Sequence, residues 1–261
     1  VSSGTAANID DEDQFANIID GDITPLGLFF PVIPNSLLNV EVDATQDFEV
    51  TGDIIFNSLD ADDDTAEFTM TGDADVTVES FDTTDADIDT LAIANDGSGI
   101  LTITGASPAL NVDNTEEVII TGDDVLSAVM LGTDGEGISG NTLSLIDASE
   151  YASTFSAGEV DDVDNADFSF VAGTGVTTMT FTDAALDSRG VDATPETDDD
   201  TAGWSFDYTN AAAGSELHLD AALSAVPAGS TLNIDMGAEG VLYIDQTMDL
   251  SDLFLNIDSV Q

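Results

Sequence analysis

Clusters of aspartate are the residues of this sequence whose type and spacing could do chemistry. Three clusters fall where turns are expected: Asp60, Asp62, Asp63 and Asp64; Asp161, Asp162, Asp164 and Asp167; and Asp198, Asp199 and Asp200. Calcium takes about six to eight oxygen ligands, which groups of carboxylates at turns can supply. The clusters therefore predict calcium sites, and a solvated, salt-adapted acidic surface is the alternative.

The sequence offers little that could form a catalytic centre. Its single histidine, His218, lies in a Leu-His-Leu-Asp stretch, and no Gly-x-Ser-x-Gly elbow supplies a serine nucleophile for it. A phosphate-binding loop and a dinucleotide fingerprint are also missing from the sequence. Paired carboxylates can hydrolyse glycosides, but among 54 acidic residues such pairs arise by chance. We therefore expect that the protein is not an enzyme.

The charge of the chain excludes several kinds of partner. It has 54 Asp and Glu residues against one Lys or Arg, Arg189, which gives a formal net charge of −53. Binding of nucleic acid needs basic side chains at the phosphates, and an anionic membrane surface has the same requirement. No apolar run approaches the roughly 20 residues of a membrane-spanning helix. We expect no nucleic-acid partner and no membrane insertion, and we expect salt or bound cations to offset the self-repulsion.

Alternation of apolar and polar residues predicts the elements that position these side chains. The segments 66–71, 75–79, 101–104, 179–182 and 204–208 alternate with a period of two and are rich in Thr, Val, Ile and Phe. This pattern is typical of half-buried strands. Helical periodicity is confined to 124–131 and to 14–19, where short helices are expected. The sequence predicts an all-β fold.

Internal repeats favour stacking of these strands. The tetrapeptide Leu-Asn-Val/Ile-Asp/Glu begins at Leu38, Leu110, Leu232 and Leu255, and Thr-Gly-Asp begins at Thr51, Thr71 and Thr121. Some spacings are close to 20 residues, and in each tetrapeptide two apolar residues face inward and an acid follows at the strand end. A repeat of this kind suits a parallel β-solenoid, or β-helix-like stack of short strands. A β-sandwich with one or two lobes also explains the alternation.

The domain organisation follows from changes in composition. Residues 1–35 combine an acidic start with an apolar, proline-containing stretch, and we interpret them as an N-terminal arm or cap. Residues 36–261 form a β-rich repeat domain, and the stretch near 187–203, rich in Gly and Asp, could divide it into two lobes. The first residues, Val-Ser-Ser-Gly, are typical of a mature end left after removal of a signal peptide.

Three segments carry a resemblance to a known class of protein. The segments 143–149, 101–105 and 232–235 resemble the short rungs of bacterial surface-layer proteins and related calcium-binding secreted repeat proteins. Those families are rich in Asp and Thr and contain almost no Cys, and this chain has none. The resemblance implies secretion, assembly into a lattice or fibre, and dependence on calcium.

These observations lead to one expected function and one alternative. The expected function is that of an extracellular structural protein at the cell surface, which assembles with copies of itself into a surface layer or filament and binds divalent cations. The alternative is a secreted adhesin or a glycan- or ice-binding module of a larger surface protein. Ice binding would favour an outward ladder of threonines, for which the candidates are Thr102, Thr104, Thr178, Thr180 and Thr182.

Overall fold

The computed structural model describes residues 16–20, 38–56, 64–83, 88–105, 108–133, 136–161, 163, 167–182, 203–220, 231–244 and 254–258. These residues form twenty strands and no helix. The strands are β1 (Ala16–Asp20), β2 (Asn39–Ala44), β3 (Phe48–Ile55), β4 (Asp64–Gly72), β5 (Val76–Asp82), β6 (Ile88–Asn95), β7 (Ile100–Ile103), β8 (Leu110–Asn111), β9 (Glu117–Thr121), β10 (Ala128–Leu131), β11 (Glu136–Ser139), β12 (Leu145–Asp147), β13 (Thr154–Asp161), β14 (Asp167–Val171), β15 (Thr177–Thr182), β16 (Gly203–Asp207), β17 (Glu216–Asp220), β18 (Thr231–Asp235), β19 (Val241–Ile244) and β20 (Phe254–Asp258).

The strands form two sheets in which the named strands pair in parallel. The first sheet has the order β1-β2-β4-β6-β9-β12-β14-β16-β18-β20. The second sheet runs from β3 through β5, then β7 and β8, then β10 and β11, and on through β13, β15 and β17 to β19. Successive coils of the chain thus add strands to each sheet in turn. The fold is a parallel β-solenoid, which confirms the prediction of an all-β stack of short strands.

The core lies between the two sheets and is filled by the apolar side chains at alternate positions of the strands. Along the first sheet one inward column consists of residues that pair in register from coil to coil and are all buried: Ala66, Leu91, Val118, Ile146, Phe170, Phe206 and Ile234. Aromatic rings join the sheets in the later coils, where the Phe181 ring lies 5.2 Å from the rings of both Phe168 and Phe206. Each large apolar side chain stabilises the fold by about 1.5–3 kcal/mol when it is fully buried.

The coil length differs from the predicted repeat of about 20 residues. Residue 67 pairs with residue 92 and residue 232 with residue 255, so that these coils take 25 and 23 residues. Thr51 lies in β3 of the second sheet and Thr71 in β4 of the first. The spacing of 20 residues between them is therefore not the length of a coil. The Thr-Gly-Asp tripeptide occurs in both sheets. Its glycines, Gly52 and Gly72, have positive φ angles of 100° and 93°, a backbone conformation that glycine adopts readily.

Both predicted short helices are wrong. Residues 16–20, which overlap the expected helix 14–19, form β1 and pair in parallel with β2. In 124–131, a turn at residues 125 and 126 is followed by β10, in which Val129 and Leu131 face the core. The spacing of the apolar residues imitates a helix because Val125 and Leu126 are apolar yet exposed.

Two further predictions concern residues that are mostly outside the described ranges. Of the proposed arm or cap, residues 1–35, the structure describes 16–20, which extend the first sheet next to β2. Of the proposed division near 187–203, it describes residue 203. Parallel pairing continues across this stretch, from β14 to β16 and from β15 to β17.

The corners of the coils require small residues because successive backbones approach closely there. A Cβ atom added at Gly175 would overlap the carbonyl oxygen of Ser153 in the preceding coil, and one added at Gly99 would overlap the carbonyl oxygen of Ala74. Neither overlap involves a side chain that could move aside. The glycines at these corners therefore set how tightly neighbouring coils stack.

Candidate functional site

Aspartates at the ends of first-sheet strands close the turns that follow. Oδ1 of Asp207 accepts a hydrogen bond from the backbone N–H of Thr209, and Oδ1 of Asp235 accepts one from that of Gly237, both at 2.9 Å. Asp147 makes the same contact two residues along the chain at 2.8 Å. An aspartate that bonds the backbone in this way forms an Asx turn. The acid of the repeated pattern therefore has a structural role of its own.

Register brings some of these strand-end aspartates together. Asp207 pairs with Asp235 across β16 and β18, and Asp258 takes the next position of the same row in β20. We call these three positions the aspartate row. Neighbouring strands lie about 4.8 Å apart, and like charges directly opposite one another destabilise a strand pair. A cation bound beside Asp207 and Asp235 would offset that repulsion.

The second sheet carries a mixed polar row in which neutral groups separate the carboxylates. In coil order its members are Asp82, Asn111, Ser139, Asp161, Thr182 and Asp220. The Thr182 hydroxyl donates to Oδ1 of Asp161 at 2.7 Å, and Nδ2 of Asn111 donates to Oδ2 of Asp82 at 3.5 Å. In this row Asp82 and Asp161 thus accept hydrogen bonds from neutral side chains of the adjacent coil.

The three predicted aspartate clusters are only partly within the described residues. Asp60, Asp62, Asp63, Asp162, Asp164, Asp198, Asp199 and Asp200 lie outside them. Asp64 begins β4 in the first sheet, Asp161 ends β13 in the second sheet, and Asp167 begins β14 in the first sheet with an exposed side chain. Within the described ranges, no group of three or more His, Cys, Asp or Glu residues is placed to hold a metal ion. The prediction of calcium sites in these clusters stays a prediction.

The aspartate row was not among the sites predicted from the sequence. Its signal was present, because an apolar residue precedes an aspartate in 206–207, 234–235 and 257–258. The last two pairs belong to the repeated tetrapeptide, whereas the first, Phe-Asp, does not match it. Aligning the three strands by these apolar residues would have brought the acids into one row.

Other carboxylates join successive coils through hydrogen bonds. Oδ1 of Asp47 accepts from the backbone N–H of Asp75 at 3.1 Å, and Oδ1 of Asp75 accepts from that of Ile100 at 2.9 Å. Oε2 of Glu79 accepts from the N–H of Gly52 at 2.6 Å. Hydrogen bonds to an ionised acceptor are stronger than those between neutral groups. Part of the negative charge of the chain therefore serves to hold coils together.

The only histidine lies on the outer face of the second sheet, as its place in the alternation predicted. Nε2 of His218 lies 3.1 Å from Oε2 of Glu216, and the hydroxyl of Tyr243 donates to Oε1 of the same carboxylate at 3.4 Å. The His218 and Tyr243 rings stack with centroids 4.3 Å apart. The register neighbour of His218 on β15 is Thr180.

The candidate threonine ladder is a set of separate rows. Thr178, Thr180 and Thr182 face outward on β15, but their register partners on β17 are Glu216, His218 and Asp220. Thr102 pairs with Thr77 on one side and with Met130 on the other. The threonines of β15 therefore have no threonine neighbours on β17, and Thr77 with Thr102 is a single pair.

Two tyrosines, Tyr151 and Tyr208, are buried. The Tyr151 hydroxyl lies 3.0 Å from that of Ser127, and burial raises the pKa of Tyr151 to about 12. Burial also raises the pKa of Tyr208, whose hydroxyl has no hydrogen-bond partner among the described atoms. Both phenols are therefore held in the neutral form, which suits a structural role.

Among the described residues, the last strand of the second sheet leaves apolar side chains exposed. Ile244 of β19 stacks on Leu219 of β17, yet Ile244 is 48% exposed whereas Leu219 is 1% exposed. Val241 and Tyr243, on the outer face of β19, are 41% and 38% exposed. We call Val241–Ile244 the open end of the solenoid.

Comparison of this chain with models of protein families, with curated proteins and with solved structures finds no match. The described part of the chain also contains no helix with the length and apolarity needed to cross a membrane.

Proposed function

We propose that this protein is an extracellular structural subunit that assembles with copies of itself into a surface layer or filament. The observation that carries the proposal is the open end, where the core column that buries Leu219 continues to a half-exposed Ile244. In a solenoid each coil is stabilised by its neighbours, and a coil whose apolar side chains are exposed needs a cover. A second copy stacked on β19 would supply that cover and extend the second sheet by strand addition.

The proposal includes stability that depends on cations, with calcium as the preferred ion. A net charge of −53 opposes association of like subunits as well as folding. The aspartate row adds a place where neighbouring carboxylates lack an intervening neutral group. Divalent ions bound by such carboxylates would reduce the repulsion within one subunit and between subunits.

Sedimentation and negative-stain imaging of the purified chain, with and without calcium, test the assembly. We expect ordered polymers that increase with calcium, and we expect Tyr243→Glu to reduce them because it adds a charge to the open end. Thr102→Glu is the matched control, since it adds the same charge to the outer face of β7, between neutral neighbours. A chain that stays monomeric at all calcium concentrations would contradict the proposal.

A second candidate is a secreted module that binds a glycan. The outward Tyr243 ring, stacked on His218 beside Glu216, is the observation that favours it, because an aromatic face with adjacent polar groups suits a sugar ring. A stable monomer whose glycan binding is lost in Tyr243→Ala would support this function instead of assembly.

A further inference from the structure

The corner between β9 and β10 projects two aliphatic side chains into water. Val125 is 72% exposed and Leu126 is 77% exposed, which makes them the most exposed large apolar side chains among the described residues. Ile55, at 51%, is a single position on a strand, and the open end is the other place where exposed apolar side chains lie together. We call Val125 and Leu126 the corner pair.

Register explains why this corner protrudes. Ile119 pairs with Ala92 and residue 147, while Ala128 pairs with Ile100 and residue 154. The chain therefore takes nine residues from 119 to 128, but eight from 92 to 100 and seven from 147 to 154. Because the strands on both sides stay in register, the additional length is accommodated by a turn that bends outward.

Hydrogen bonds hold the turn in one conformation. The N–H of Leu126 donates to Oδ1 of Asp124 at 2.9 Å, and the Ser127 hydroxyl donates to the Asp124 carbonyl at 2.8 Å. From the next coil, the Ser153 hydroxyl donates to the carbonyl of Val125 at 3.2 Å. A surface that is ordered before binding loses less conformational entropy when a partner docks. The corner pair is thus preorganised for contact.

Acidic residues flank the corner pair, and they decide which partner fits. Asp123 is exposed on the same turn, and Asp96 and Glu150 are exposed at the same corner in the coils before and after it. A second copy of the chain would bring the same carboxylates to the contact and has one Lys or Arg residue to offset them. A partner with basic residues around an apolar pocket is complementary in both charge and polarity.

We propose that the corner pair is a docking site for a second protein that presents an apolar pocket rimmed by Lys and Arg. This site is separate from the open end and does not depend on the assembly proposed above. Loss of either interaction would leave the other unchanged.

Binding of a synthetic peptide tests the site, with an amphipathic peptide of Leu and Lys as the probe and a Ser and Lys peptide of equal charge as its control. At physiological ionic strength, we expect the double variant Val125→Ser, Leu126→Ser to bind the Leu and Lys peptide about tenfold more weakly than the unchanged chain. Ile55→Ser, which removes an exposed aliphatic side chain elsewhere, should bind it with unchanged affinity. The Ser and Lys peptide should bind all three proteins equally.

Equal affinity of the double variant and the unchanged chain for the Leu and Lys peptide would overturn the proposal. Reduced polymer mass in the double variant would also overturn it, because the occupant would then be a second copy. Matching far-UV circular dichroism spectra and thermal midpoints of the three proteins establish that the substitutions leave the fold intact.

Discussion

Asp235 lies directly beside Asp207 in the parallel register of β18 with β16, and each carboxylate closes an equivalent turn. Asp147 closes the same kind of turn, but its register neighbours, Ile119 and Val171, are apolar. Asp235 and Asp147 therefore differ in the charge of their register neighbours, but each accepts the same backbone hydrogen bond within its turn. This difference allows the repulsion within the aspartate row to be measured.

We expect Asp235→Asn to raise the free energy of unfolding by up to about 1 kcal/mol at low ionic strength. Asparagine keeps the Oδ1 acceptor of the turn and removes the charge beside Asp207. Asp147→Asn is the matched control and should change stability little. Urea unfolding at low and high sodium chloride measures both variants, and the advantage of Asp235→Asn should disappear at high salt. An equal effect of the two substitutions would mean that the row carries no net repulsion.

Calcium should stabilise the protein more than sodium chloride at equal ionic strength. An ion bound only by the folded state contributes about 2.7 kcal/mol at a concentration one hundred times its dissociation constant, whereas screening does not depend on the identity of the ion. Thermal unfolding after removal of divalent ions, followed by addition of either salt, makes the comparison. Full recovery in sodium chloride would leave a salt-adapted surface as the explanation of the acidic clusters.

The protein should lose stability in alkali as buried phenols ionise. An unfolded tyrosine ionises near pH 10, and the pKa of Tyr151 in the folded chain is about 12. Its contribution is complete below about pH 10 and is lost as the pH rises through about 12, because the unfolded chain releases the proton first. Burial shifts the pKa of Tyr208 in the same direction. Unfolding by urea at successive pH values should show this decline, and Tyr208→Phe should make it shallower.

At neutral pH the two tyrosines should respond differently to the loss of their hydroxyl groups. Tyr151→Phe removes the hydrogen bond to Ser127 and should destabilise the fold by about 1 kcal/mol. Tyr208→Phe removes a buried hydroxyl that has no partner among the described atoms and should leave stability unchanged or increase it. Equal losses in the two variants would show that the Tyr208 hydroxyl is satisfied in solution.

Gly175→Ala should destabilise the fold by about 3 kcal/mol, because the new Cβ meets the backbone carbonyl of Ser153 in the coil before it. Gly203→Ala is the control, since its Cβ would approach the Asp167 side chain, 2.7 Å from Oδ1, and that side chain can rotate away. Thermal unfolding of both variants measures the difference. A mild effect at Gly175 would mean that the corner can open without loss of pairing.

Much of the fold could be predicted from local pattern, because strand alternation depends on which residues face the core. The inward assignment of residues such as Phe68, Trp204 and Phe206 needed only a period of two. Coil length was not accessible in this way, since the corners vary in length while the strands remain in register. The corner pair led to the wrong helix prediction because its exposure depends on the length of this turn relative to the turns of the neighbouring coils. That comparison requires knowledge of which coils are neighbours.

The candidate site was harder to predict from the sequence than the fold was. The aspartate row depends on which coils are neighbours, and Asp207 and Asp235 are 28 residues apart in the sequence but adjacent in the sheet. Clusters of acids in sequence were easier to recognise, yet most of their members lie outside the described residues. Spatial neighbours in a solenoid are separated by a full coil, so windows of nearby sequence do not contain them.

Unequal coil lengths also make this chain a natural scaffold for grafting foreign peptides. Ser169 pairs with Ser205, so that one coil takes 36 residues where the coil between Leu232 and Leu255 takes 23, and β14 still pairs with β16 over five consecutive residues. Parallel pairing is therefore maintained between coils of unequal length. An epitope or enzyme-recognition tag inserted between β15 and β16 should therefore leave the pairing of β14 with β16 intact.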